Sequence, residues 1–243
     1  MRVGLFIPCY VDQFYPNAAI ATFQLLKKFG VDVIYPQNQT CCGQPMANSG
    51  FEHLTRGCDR LFIDNFSEFD YIVSPSGSCV LHVKDHLHSD IKDPEAGDIR
   101  HKIYELVEFL TDILKVDTIG ANFPFKVGLH QSCHGQRGLC ISQMSELVEP
   151  FFSKPLQLLN MVKGIQIMDL ERPDECCGFG GTFCVAEEAV SAKMGKDRAD
   201  DHIKNGAEYI TSSDMSCLMH MEGILKRQGS SVRVLHIAEI LNA

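Results

Sequence analysis

Two places in this chain set cysteines side by side and follow them with glycine: Cys41-Cys42-Gly43 and Cys176-Cys177-Gly178. Neighbouring Cα atoms lie only about 3.8 Å apart, closer than a relaxed disulfide prefers, so such thiols are better suited to holding one object together. Glycine after the pair lets the backbone turn tightly enough for both to face it. Each pair has a cysteine upstream, Cys9 or Cys133, and one downstream, Cys79 or Cys217. Four thiolates about one point suit tetrahedral zinc or an iron–sulfur cluster. There is no CxxC knuckle of a zinc finger and no compact CxxCxxC run of a ferredoxin. Metal-free redox thiols, activated at helix N-termini, are the remaining option. The cysteines number eleven, an odd count, and the N-terminal MRVGLFIPCY reads as the start of a strand and not as a secretory signal. Both points favour reduced thiols over a disulfide framework. Cys58 and Cys140 lie outside the pattern and read as small buried hydrophobes.

The elements that must position these thiols are written twice. RVGLFIPC (2–9) aligns with KVGLHQSC (126–133), TCCGQPMANSG (40–50) with ECCGFGGTFCV (175–185), and YIVSPSGSCVLH (71–82) with YITSSDMSCLMH (209–220). KIYELVEFLTDIL (102–114) aligns with RVLHIAEILNA (233–243), both read as closing helices. Four matched blocks in one order mark an internal duplication. Each half reads as β-α-β-α-β. In the first, Val3–Ile7 is a buried strand and Tyr15–Phe29 a helix with Ile20, Phe23, Leu25 and Leu26 on one side and Gly30 at its stop. VDVIYP is the second strand, 51–69 a helix and YIVSP the third strand. The second half repeats this with strands near 127–131, 165–170 and 208–212. Segment 89–100, polar with Pro and Gly, reads as an exposed loop. The expected fold class is α/β: two duplicated Rossmann-like lobes with parallel sheets, one domain over 1–120 and another over 121–243, joined near 117–125. Cys9 and Cys133 follow first strands, the CCG turns follow second strands, and Cys79 and Cys217 follow third strands. Parallel strands bring those ends to one sheet edge, where open α/β folds bind ligands, so the metal site is expected there.

The doubled pattern resembles the CCG cysteine-rich domain family, found in heterodisulfide reductases, in the iron–sulfur component of glycolate oxidase and, as a compact pair of domains, in lactate-utilisation proteins. The resemblance covers nearly the whole chain. It implies that Cys9, Cys41, Cys42 and Cys79, then Cys133, Cys176, Cys177 and Cys217, bind an iron–sulfur cluster of the [4Fe–4S] kind, with zinc as the alternative. In the heterodisulfide reductase branch a fifth cysteine completes each motif; here His82 and His220 stand in its place. Each is a candidate ligand, a hydrogen-bond donor behind the ligands or an ordinary helix histidine. The second half has additional features: His134, the glycine-rich GFGG and Cys184, an exchangeable ligand or a packing residue. By resemblance the chain is an electron-transfer subunit of a cytoplasmic oxidoreductase converting L-lactate to pyruvate. The implied partners are a ferredoxin-type iron–sulfur subunit and a third lactate-utilisation subunit, with a small hydroxy acid as candidate substrate.

The net charge of −9 argues against nucleic acid or an anionic membrane surface as partner. No apolar run reaches the roughly 18 residues of a membrane span. No G-x-S-x-G elbow, H-E-x-x-H pair or Walker sequence appears, and GFGG lacks the dinucleotide-binding spacing. His86 and His88 are expected to face solvent, and His101, His202 and His236 to satisfy local hydrogen bonds. The nine methionines are scattered and read as core filling.

Overall fold

Short apolar runs bounded by turns build two sheets in the computed structural model, which describes residues 1–87 and 94–243. In the first lobe the order is β1 (Arg2–Leu5), α1 (Cys9–Phe14), α2 (Pro16–Lys28), β2 (Asp32–Ile34), α3 (Gln44–Asn48), α4 (Arg56–Phe66), β3 (Tyr71–Ser74), α5 (Gly77–His86), α6 (Pro94–Lys102), β4 (Ile103–Glu105) and α7 (Leu106–Glu108). A wider turn, Phe109–Ile113, continues α7. The second lobe runs β5 (Lys126–Leu129), α8 (Lys154–Leu159), β6 (Gln166–Ile167), α9 (Phe183–Ala186), α10 (Glu188–Lys204), β7 (Tyr209–Ser212), α11 (Met215–Gln228), β8 (Arg233–His236) and α12 (Ile237–Leu241).

Each sheet has four parallel strands, ordered β2-β1-β3-β4 and β6-β5-β7-β8. Register is matched between lobes: Gly4 pairs with Ile72 as Gly128 pairs with Ile210. The chain order reverses between β1 and β3, and between β5 and β7, which opens a crevice at the strands' C-terminal ends.

The fourth strand of each lobe corrects the expected β-α-β-α-β, since both closing blocks begin as strands before turning helical. Residues 94–102 form a helix and not a loop, while the rest of the expected loop, and His88, lie outside the described residues. On α2 the inward face is Ala18, Ala21, Thr22, Leu25 and Leu26, whereas Ile20 and Phe23 are exposed. Cys140 is also exposed and Cys58 half-buried, so neither is a core residue.

One apolar cluster runs through both lobes, from Val3, Leu25 and Leu106 to Val127, Leu218 and Ile240. Helices α2 and α12 pack against each other across the join, and Tyr15 Oη donates to Glu222 Oε2 at 2.7 Å. The lobes therefore share one core, and cysteines from the strand ends of both line a single cavity.

Candidate metal centre

The turn after each cysteine pair begins the site. Gly43 and Gly178 have φ of +91° and +83°, a left-handed conformation that other residues adopt only at a cost. It returns the Gly43 N–H to Cys41 Sγ at 3.4 Å and the Gly178 N–H to Cys176 Sγ at 3.3 Å. The space is as restrictive as the dihedral. A Cβ on Gly43 would stand 3.1 Å from Thr55, and one on Gly178 only 2.6 Å from Met194 Cβ and 2.8 Å from the Ser191 carbonyl.

The remaining thiols arrive from the other strands. Cys9 opens α1 directly after β1, and Cys133 precedes a one-turn helix, His134–Gly138, after β5. Cys79 is the third residue of α5, capped by Ser76, and Cys217 the third of α11, capped by Asp214. Within each lobe the four thiols form a hydrogen-bonded chain, Cys9–Cys41–Cys42–Cys79 and Cys133–Cys176–Cys177–Cys217.

That arrangement concentrates negative charge at one sulfur per lobe. Cys41 is pulled down to about 2, first by its hydrogen bond with Cys42 and then by that with Cys9. Cys176 is pulled down to about 2 by Cys133 and then Cys177. Their donors move the other way: Cys42 and Cys177 are pushed well above the usual thiol range by those bonds and by burial. A soft cation entering such a chain replaces the shared protons, because thiolates bind metal only when deprotonated.

All eight cysteines line one cavity of about 420 Å³ between the lobes, with Tyr10, His134, Phe179 and Met219 among its other walls. None of the described residues lining it is an arginine or a lysine. The three weaker candidates are not in its lining. His220 directs a ring nitrogen to the Ser191 carbonyl at 3.3 Å. His82 is buried and stacks on His86 at 5.2 Å between ring centres, near enough to Cys41 to help lower its pKa. Cys184 donates to the Gly181 carbonyl at 3.0 Å.

Reading by residue type missed His130. A ring nitrogen of this buried histidine lies within 4.8 Å of both Cys177 Sγ and Cys217 Sγ. Its Nδ1 accepts from Arg198 Nε at 3.2 Å, and its Nε2 is buried without a hydrogen-bond partner among the described residues. Burial, and then the Arg198 charge, hold it neutral, with its pKa lowered to about 3. The signal lay in the repeat, which sets His130 against Phe6. His202 departs from expectation too, since both of its ring nitrogens are buried without a partner among the described residues. His236 does cap α12, accepting from the Ala238 N–H at 3.1 Å, while His101 is exposed. Sulfur donors on three loops and an unsatisfied imidazole nitrogen fit a soft metal or a sulfide-bridged cluster.

Fold and site together define a duplicated, parallel α/β cysteine-rich protein. The family described as cysteine-rich domain (CCG) matches residues 3–84 and again 127–222. The chain belongs to that family. Among curated relatives it is 38% identical to lactate utilization protein A of Bacillus subtilis (strain 168) over 247 aligned residues, covering 100% of both chains. It is 39% identical to the protein of that name from Geobacillus thermodenitrificans (strain NG80-2), covering 100% of this chain and 99% of that one. For the Exiguobacterium protein (strain ATCC BAA-1283 / AT1b) the figures are 40%, 99% and 97%. A hypothetical protein from Helicobacter pylori has the same fold, with a TM-score of 0.61, 12% identity, 99% of this chain covered and 48% of that chain. No helix among the described residues is long and apolar enough to cross a membrane.

Proposed function

We propose that this chain is the iron–sulfur electron-transfer subunit of a cytoplasmic lactate-oxidising system. The observation that carries the reading is the convergence of four thiols in each lobe on one cavity. Cys9, Cys41, Cys42 and Cys79 would hold one centre and Cys133, Cys176, Cys177 and Cys217 the other. A bound cluster supplies one-electron redox chemistry at each site. The chain's own residues bind it, keep the first sulfur of each pair ionised and shield the second by burial. Eleven free thiols support a reducing compartment, and relatives named lactate utilization protein A support the substrate of the system as a whole.

The cavity also supports a division of labour. A hydroxy acid carries a carboxylate, which recognition sites ordinarily hold with a cationic fork, and none of the described lining residues is a lysine or an arginine. Lactate is therefore oxidised on a companion subunit, and this chain relays the electrons with a ferredoxin-type partner. The test is spectroscopic. Oxygen-free protein mixed with L-lactate alone should keep its visible absorption, then bleach when the companion subunits are added. Bleaching by lactate alone would place the oxidation in this chain and overturn the relay.

A further inference from the structure

The two lobes differ most in what stands behind the sulfurs. In the first lobe Phe6, at the end of β1, packs edge-on against Phe62 at 4.9 Å and Phe66 at 5.8 Å between ring centres. The equivalent strand end carries His130. A Cβ on Gly4 would stand 2.6 Å from the Phe69 ring and 2.8 Å from the Phe66 ring, and one on the matching Gly128 would run into the His202 ring, so Phe66, together with Phe69, fills the space that His202 fills in the second lobe. One helical turn earlier, Phe62 on α4 corresponds to Arg198 on α10. An aromatic cluster in one lobe is thus a His-Arg-His cluster in the other.

Arg198 is fully buried and firmly anchored. Its Nη1 donates to Asp201 Oδ2 at 3.0 Å and to the Arg172 carbonyl. Asp201 in turn accepts from the backbone N–H of Glu171 at 3.1 Å and of Arg172 at 3.2 Å. A guanidinium Nε–H is always a donor, so the nitrogen that meets it, His130 Nδ1, must be an acceptor. A neutral imidazole with an acceptor Nδ1 carries its proton on Nε2. A ring nitrogen of His130 lies within 4.8 Å of Cys177 and Cys217 Sγ; with Nδ1 taken up by Arg198, Nε2 is the nitrogen free to meet them, and as a ligand it would require the proton on Nδ1, facing the Arg198 donor.

We propose that His130 serves the second-lobe centre as an N–H donor to its sulfurs and not as a ligand, held in that role by Arg198, and that this hydrogen bond raises the centre's reduction potential. The inference rests on the iron–sulfur reading. A reduced centre carries one more negative charge, spread over its sulfurs, which a hydrogen bond donated to them stabilises. The first lobe has phenyl rings at the matching positions, and its own buried imidazole near the sulfurs, His82, comes from α5 instead.

Two measurements decide it. In metal-free protein, nitrogen NMR of His130 should show the Nε2–H tautomer; an Nδ1–H tautomer overturns the donor role, whatever metal the chain binds. In oxygen-free protein carrying Cys42→Ala to leave the second site alone, a redox titration followed by paramagnetic resonance compares His130→Phe with His130→Gln. Phenylalanine should retain the cluster and lower its potential by at least a tenfold change in the reduction equilibrium, about 59 mV for one electron. Glutamine, which keeps an N–H, should recover part of that shift. An unchanged potential with phenylalanine, or loss of second-site iron from a folded His130→Phe protein, overturns the proposal. Zinc in place of iron in the unmutated protein defeats the redox reading and the potential shift with it, and the tautomer still judges the donor role.

Discussion

Cys42 and Cys177 are the buried members of their pairs, each hydrogen-bonded to two other thiols. Cys177→Ala should remove most second-lobe metal and Cys42→Ala most first-lobe metal, read as metal per chain; retention of both sites in either variant would mean the ligands lie elsewhere. Gly178→Ala should destabilise the fold by about 1–2 kcal/mol for its left-handed backbone alone. The clash with Met194 and the Ser191 carbonyl adds to this, so it should exceed the loss for Gly43→Ala in denaturant unfolding. Equal losses would show that the two turns are under the same constraint. At this scale the cysteines were legible because paired thiols followed by glycine declare their chemistry by type and spacing. His130 was not, because one histidine after a strand has no spacing to betray it; only its match with Phe6 sets it apart.

The strand–loop–helix units were legible in outline, since apolar β-branched runs and glycine stops locate three strands of each lobe, though not their ends: the run expected over 165–170 is a strand only at Gln166–Ile167. The fourth strand was hidden by a coincidence of period. Ile103, Leu106, Val107 and Leu110 are all buried and fall at i, i+3, i+4 and i+7, the spacing of a helix face. The strand takes only the first of these positions before Glu105 caps α7. The helix caps also join the lobes in a way no local pattern announces. Asp214 caps α11 through the Ser216 N–H at 3.1 Å and reaches across to the Ser78 N–H at 2.8 Å and Tyr10 Oη at 3.2 Å. Asp214→Ala removes a cap and leaves buried donors unmet, so it should cost about 2–4 kcal/mol. Ser76→Ala should cost about 1 kcal/mol. A loss for Asp214→Ala no greater than for Ser76→Ala in urea unfolding would show that the contact across the join contributes little.

Across the whole molecule, burial keeps several imidazoles neutral. His236 is lowered to about 4 by burial, His130 to about 3 by burial and then Arg198, and His202 well below its usual value by the same two causes. The unfolded chain protonates these groups near 6.5, so between there and the folded values it binds more protons, and stability falls as pH drops from 6.5 toward 4. For His236 alone the shift corresponds to on the order of 3 kcal/mol. Glu105 acts oppositely: burial raises its pKa, so it opposes folding as pH rises above about 4.5. Three histidines outweigh it, and urea unfolding should show lower stability at pH 4.5 than at pH 7; equal stability would mean that the imidazoles are solvated in the folded chain. The duplication itself was legible from four matched blocks, while the shared core and the common cavity were not, because repeats state what each lobe is and not how it docks. The most direct measurement is an iron, sulfide and zinc count on protein purified without oxygen, read beside its visible spectrum. Iron with matching sulfide in both lobes, each lost separately with Cys42→Ala and Cys177→Ala, is the expected result. Zinc alone, without colour, would contradict it and reduce the paired cysteines to a structural role.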